Sequence, residues 1–134
     1  MQFARVTRRI GLVLTAALAA VTLSACGGGG AVHLVDAATF ADAIAKPGVT
    51  VIDVRTAGEF AAGHIQNAIN IDVQNDFESA IAKLDPAKTY AVYCHSGSRS
   101  AMATSIMDSA GFKDVYELDG GTSMWQAQGF PLVQ

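Results

Sequence analysis

The sequence predicts an α/β domain with a mainly parallel sheet, and three observations carry that expectation. Near-continuous apolar and β-branched runs, above all Thr50-Val51-Ile52-Asp53-Val54 and Thr89-Tyr90-Ala91-Val92-Tyr93, read as strands buried on both faces. Between such runs lie stretches with helical periodicity, the alternation from which βαβ units are built. The run at 89–93 also passes through a turn of small residues straight into a helix start, as a parallel crossover requires. In sheets of this kind ligands bind beyond the carboxyl ends of the strands, where Arg55, Cys94 and Asp119 all fall.

Taken in order, Val32-His33-Leu34-Val35 is a short first strand, and His33 reads as a strand or surface residue. Asp36 caps a helix carrying Phe40 and Ile44, which Pro47-Gly48 stops. After the strand at 50–54, Thr56 and Glu59 have the spacing of a capping box and open a short helix. Gly63 to Ile71 reads as a turn and another strand. Asn75 and Glu78 then open a helix with Phe77, Ile81 and Leu84 on one face, closed near Asp85-Pro86. Beyond Cys94, Ala103, Ile106, Met107 and Ala110 mark one apolar helix face, and Gly111 sits where a C-terminal cap belongs. Asp114 to Leu118 is the last strand. Asp119-Gly120-Gly121 follows, then a tail in which Trp125 reads as a packing residue.

Cys94 ends a strand and faces a turn whose N–H groups have no helical partners. Those N–H groups and the helix dipole stabilise an anion, and a thiolate is an anion. A free thiol of pKa about 8.5 is roughly 3% ionised at pH 7, and a shift of two units needs about 2.7 kcal/mol. The dipole supplies up to ~2 kcal/mol, and amide hydrogen bonds to charged sulfur can supply the rest. A core cysteine needs neither Gly97 nor Arg99 beside it, so the stretch reads as a site for a reactive sulfur. Cys94-His95 adjacency lacks zinc-type spacing, so neither a metal nor a cofactor is expected.

The N-terminal stretch is organised differently. Arg5, Arg8 and Arg9 precede the short apolar run Ile10–Val21, which fits the h-region of a signal peptide. Leu23-Ser24-Ala25-Cys26 resembles the lipobox of bacterial lipoproteins. That resemblance implies removal of residues 1–25 and lipid on Cys26; Arg8-Arg9 loosely resembles a twin-arginine signal, but Gly11 stands where an apolar residue is usual, so Sec export is expected. Residues 26–31 then form the lipidated, Gly-rich tether, and residues 32–134 the folded domain. The removed piece carries three Arg and no acid, so formal charge moves from −3 to −6. A mildly acidic domain argues against nucleic acid or an anionic membrane surface as partner, which leaves acyl chains as the membrane contact. With Cys26 consumed by lipid, Cys94 has no disulfide partner. A lone thiol in an exported setting is a liability unless its reactivity is used.

With these residues assembled, the chain resembles a single-domain rhodanese, a sulfurtransferase. Three segments carry the likeness: Val51-Ile52-Asp53-Val54-Arg55 through Glu59-Phe60, Gly63-His64-Ile65 and Ala68–Ile71; Tyr93-Cys94-His95-Ser96-Gly97-Ser98-Arg99-Ser100; and Leu118–Gly121 with Trp125, Gly129 and Pro131. The resemblance implies a three-layer α/β/α fold around a five-stranded sheet. It implies that Cys94 takes sulfane sulfur from a small donor such as thiosulfate and passes it to a thiol or cyanide-like acceptor. Backbone N–H groups of His95, Ser96, Gly97, Ser98 and Arg99 would hold the persulfide, and Arg99 the donor's sulfonate. Asp53 and Arg55 would brace the loop and its neighbouring turn, with Glu59 as charge partner of Arg55. Gln66-Asn67 stands where the family often has Pro-Gly, and Asn tolerates the positive φ of such a turn.

Two other classes compete. Phosphatases and arsenate reductases of the same fold place five residues between Cys and Arg, whereas Cys94 and Arg99 enclose four, a cradle narrowed toward a sulfur atom. A non-catalytic or redox binding module at the cell envelope would use the fold without the transfer. A monomer is expected in either case.

Overall fold

A computed structural model describes residues 30–134; the expected signal peptide and Cys26 lie outside the described residues. Five strands, β1 (Val32–Val35), β2 (Thr50–Asp53), β3 (Ile69–Asn70), β4 (Thr89–Tyr93) and β5 (Asp114–Leu118), pair in the order β1-β5-β4-β2-β3, all parallel. β4 lies at the centre because Tyr90 to Tyr93 are apolar enough to be covered on both faces. Alternation along the strands divides the core. Tyr90, Val92 and Cys94 face one layer with Val115, Phe77 and Ile81 of α3 (Phe77–Ile81), and Ala103 and Met107 of α4 (Ser98–Ser109). Ala91, Tyr93 and Leu118 face the other, with Phe40 of α1 (Ala37–Ile44) and Trp125 of α5 (Gly121–Ala127). The fold is therefore the expected α/β/α sandwich.

Local chemistry accounts for the helix starts. Asp36 accepts the Thr39 N–H at 2.8 Å and caps α1. The capping box at α2 (Ala57–Ala62) is complete: Thr56 Oγ1 accepts from Glu59 N, and Glu59 Oε2 accepts from Thr56 N. α3 starts differently from the expectation, since Asp76 stands at its N-cap with φ 50° and Asn75 makes no cap. Asn67 does adopt a positive φ, of 66°.

Two further differences concern short elements. The segment 63–71 pairs in the sheet only at Ile69 and Asn70, because His64 turns away to bridge antiparallel to Val133. The tail expected after Asp119 is instead the helix α5, which no side chain caps. Its Gly-Gly start hides it from propensity rules, and Trp125 anchors it by packing edge-on against Phe40 and stacking on Phe130.

Candidate active site

β4 ends at Tyr93, and the chain turns through Cys94-His95-Ser96-Gly97 into α4. Gly97 has φ 107° and makes no side-chain cap, so the first turn of α4 keeps its N–H groups free for another acceptor. That acceptor is the Cys94 sulfur: Gly97 N–H donates to Sγ at 3.0 Å. Cys94 itself is fully buried, with 0% of its surface exposed. Burial pushes the thiol's pKa up. Hydrogen bonding from Ser100, Gly97 and Ser96 outweighs that and holds it below the ordinary thiol value. The rim above is open, since His95, Ser96 and Ser98 are exposed.

The loop is pinned from the far side by α5. Thr122 N–H donates to the Cys94 carbonyl at 2.9 Å and Ser123 N–H to that of His95 at 3.1 Å. Gly121 permits this approach, because a Cβ there would meet Cys94 O at 2.4 Å. Its φ of 58° asks for glycine as well. The His95 ring turns toward α5, with Nδ1 3.1 Å from Thr122 Oγ1.

The charged residues separate into two groups. Asp53 and Arg55 form a buried clamp: Arg55 Nη2 donates to Asp53 Oδ2 and to the Gly63 carbonyl, each at 2.6 Å. Asn70 Nδ2 closes the clamp by donating to the carbonyls of Asp53 and Arg55. Burial opposes the Arg55 charge, and Asp53 more than offsets it, so the guanidinium pKa lies above its ordinary value. Glu59 is the correction. It pairs with Arg99 rather than Arg55, accepting from Nη1 at 2.7 Å and Nη2 at 2.8 Å. The Arg99 pair, helped by the Thr56 hydrogen bonds against a modest burial cost, lowers the Glu59 carboxyl pKa to about 2. The structure thus brings Cys94, Ser96, Gly97 and Arg99 together, with Glu59 at the rim, and sets Asp53 and Arg55 aside to brace the turn at Gly63.

Sequence reasoning gave no role to three polar residues beneath the sulfur: Ser100, quoted only as the end of the loop segment, Thr104 and Glu117, all buried. Ser100 Oγ lies 3.6 Å from Cys94 Sγ and 2.9 Å from Glu117 Oε1, and Thr104 Oγ1 lies 3.0 Å from Glu117 Oε2. A signal existed. Ser100 and Thr104 are four apart on the buried side of α4, and Glu117 shares a strand face with Val115.

Residues 36–128 match the family described as Rhodanese-like domain. The chain belongs to the rhodanese family. Among curated relatives, this rhodanese is 36% identical over 87 residues to a thiosulfate sulfurtransferase GlpE of Pseudomonas savastanoi pv. phaseolicola, covering 65% of this chain and 81% of that one. A namesake in Pseudomonas fluorescens is 41% identical over 88 residues, covering 64% and 78%. Among solved structures, a rhodanese-related protein from Thermoplasma volcanium aligns with a TM-score of 0.63 at 32% identity, covering 75% of this rhodanese and 97% of that chain.

Proposed function

We propose that this rhodanese carries sulfane sulfur on Cys94 as a persulfide, between a small sulfur donor and a thiophilic acceptor. It is a thiosulfate sulfurtransferase-like enzyme. The observation that carries the mechanism is the Gly97 N–H directed at Cys94 Sγ, in a turn where Ser96 and Ser100 also support the ionised sulfur.

In the first half-reaction the Cys94 thiolate attacks the outer sulfur of thiosulfate or of a persulfide donor. A new S–S bond forms, the donor's S–S bond breaks, and its electron pair departs on sulfite or a thiolate. The terminal persulfide sulfur is an anion, and the amides of the turn hold it. In the second half-reaction a thiolate or cyanide-like acceptor attacks that outer sulfur, and Cys94 leaves as the thiolate. The products depart in separate steps, which is ping-pong kinetics. Arg99 presents five N–H donors, of which Glu59 occupies two, so three remain for a donor's sulfonate at the rim. The approach to the buried sulfur is from the side of the exposed Ser96 and Ser98, away from the Asp53–Arg55 clamp.

Incubation with thiosulfate followed by intact mass tests this reading. The wild-type chain gains one sulfur and Cys94→Ser gains none. No uptake from thiosulfate or polysulfide marks a binding module instead.

The same reading includes export and anchoring through lipid on Cys26, supported by the basic, apolar and Leu23-Ser24-Ala25-Cys26 segments in sequence. A clickable fatty acid fed to expressing cells labels the wild-type chain, which sediments with membranes. Cys26→Ser loses both properties, and label retained in that variant overturns the anchor.

A further inference from the structure

Every lysine of the sequence lies in a loop at one end of the sheet. All five strands run parallel, so loops that follow helices collect where the strands begin, and loops that follow strands collect where Cys94 stands. Lys46 follows α1, Lys83 and Lys88 lie between α3 and β4, and Lys113 precedes β5; all four are exposed. None of them forms a salt bridge among the described residues. Lys113 N–H donates to the Pro86 carbonyl at 3.0 Å, which joins the loop of Lys113 to that of Lys83 and Lys88. Helix C-termini attract cations, which accounts for Lys46, Lys83 and Lys113, each closely following a helix. Lys88 follows none.

The acids are sorted as well. Asp36, Asp72, Asp76 and Asp119 stand in the loops at the Cys94 end. Both arginines there are already taken, Arg55 by Asp53 and Arg99 by Glu59. At the lysine end Asp85 shares the loop with Lys83 and Lys88, and Asp42 and Asp108 stand in the last turns of α1 and α4. Asp114 is held by Thr89 and His33. One end is therefore acidic, and the other is close to neutral with ammonium groups in its loops. The acidic total argued against an anionic surface as partner, but a sum conceals which end carries the charge.

The chain enters the domain at the lysine end. Val115 N–H donates to the Ala31 carbonyl at 2.8 Å, which fixes residue 31 beside the start of β5. Cys26 precedes Gly30 by four residues, at most roughly 14 Å of extended chain. Cys94 stands five residues beyond Thr89 along β4, roughly 16 Å farther from that end by strand rise. That separation is about two Debye lengths at physiological ionic strength, so the aspartates around Cys94 are screened from a surface touching the lysines.

We infer that the lysine-bearing end is a docking surface for anionic phospholipid headgroups, which holds Cys94 facing away from the bilayer. The inference rests on lipid at Cys26 as the tether. It makes the sulfur donor and acceptor water-borne compounds that reach Cys94 from the aqueous side. A lysine at an anionic surface strengthens binding roughly fivefold, so Lys83, Lys88 and Lys113 together decide which end lies down.

Lysine acetylation, followed residue by residue by mass, tests this with the membrane-purified chain in vesicles. In phosphatidylcholine vesicles containing phosphatidylglycerol, Lys83, Lys88 and Lys113 react on the order of fivefold more slowly than in phosphatidylcholine alone, and high salt restores their rates. Ala38→Lys puts a reporter on the exposed first turn of α1, at the Cys94 end, and that reporter reacts equally in both vesicles. Equal rates for the three native lysines in the two vesicles, or equal slowing of the Ala38→Lys reporter, overturn the proposal. Intact mass of the same sample shows whether Cys26 carries lipid. A chain without lipid counts against the anchor reading. It is then joined through Cys26 to a maleimide phospholipid in a Cys94→Ser background, and the same rates decide the docking.

Discussion

Arg55 and Arg99 each grip a carboxylate with two nitrogens at the same end of the sheet. Arg55 and Asp53 do so with side chains 6% and 0% exposed, whereas Arg99 and Glu59 are 22% and 36% exposed. The inner pair cannot be surrendered, because either member alone would be a buried, uncompensated charge. The outer pair is wet enough that losing it costs little stability, and one of its members stands beside the reacting sulfur. Similar geometry thus serves two ends, and water access decides which. The inner pair fastens the chain, and the outer one leaves a part-exposed cation at the rim of the Cys94 turn, where the proposed transfer would use it.

The largest test of that contrast is Arg55→Ala. It should cost about 3–5 kcal/mol in denaturant unfolding, since it strands the Asp53 carboxylate in the interior. A loss below about 1 kcal/mol would place the inner pair in the same category as the outer. Next comes Arg99→Ala, which should leave stability within about 1 kcal/mol of wild type. It should lower kcat/KM for thiosulfate by roughly 10- to 100-fold, the value of charge-assisted hydrogen bonds worth about 1.5–3 kcal/mol. An equal loss with a neutral sulfur donor would remove the sulfonate from the argument.

The smallest effect belongs to Glu59→Gln. Freed of its carboxylate, Arg99 should bind thiosulfate a few-fold more tightly, read as a lower KM. Glu59 also gives a pH signature. Its folded-state pKa of about 2 lies below the ordinary 4.5, so the carboxylate contributes stability above pH 4.5. That contribution falls away as pH drops toward 2. Wild type and Glu59→Gln should therefore converge in melting temperature across that window, and a gap that persists at pH 2 would mean the carboxylate was not its source.

The partner of Glu59 also marks how far the sequence could be read. Arg55 stands four residues before Glu59, the spacing at which charges commonly meet, and Arg99 stands forty residues away in sequence. Local spacing therefore favoured the wrong partner, and only the crossover that brings α4 beside α2 selects the right one. The strands β2, β4 and β5 were legible because each carries β-branched or aromatic residues in a short run between turns, most continuously in β4, and the capping box because its pattern is local. α5 was illegible because two glycines in left-handed conformations start it and tertiary contacts hold it. The sulfur and its turn could be read from eight consecutive residues. The acid beneath them left only a weaker trace, its place on the buried face of β5, since Ser100 and Glu117 meet only once β4 and β5 are paired.

Gly121 lies flat on the carbonyls of Cys94 and His95, and this ties the fate of the thiol to the last fourteen residues of the chain. Fraying of that segment would release the loop that holds the sulfur before the rest of the domain melts. A thiol uncovered in this way is open to peroxide and to the irreversible end of its oxidation ladder. How long the thiol stays covered then depends on how firmly α5 stays docked on the Cys94 loop.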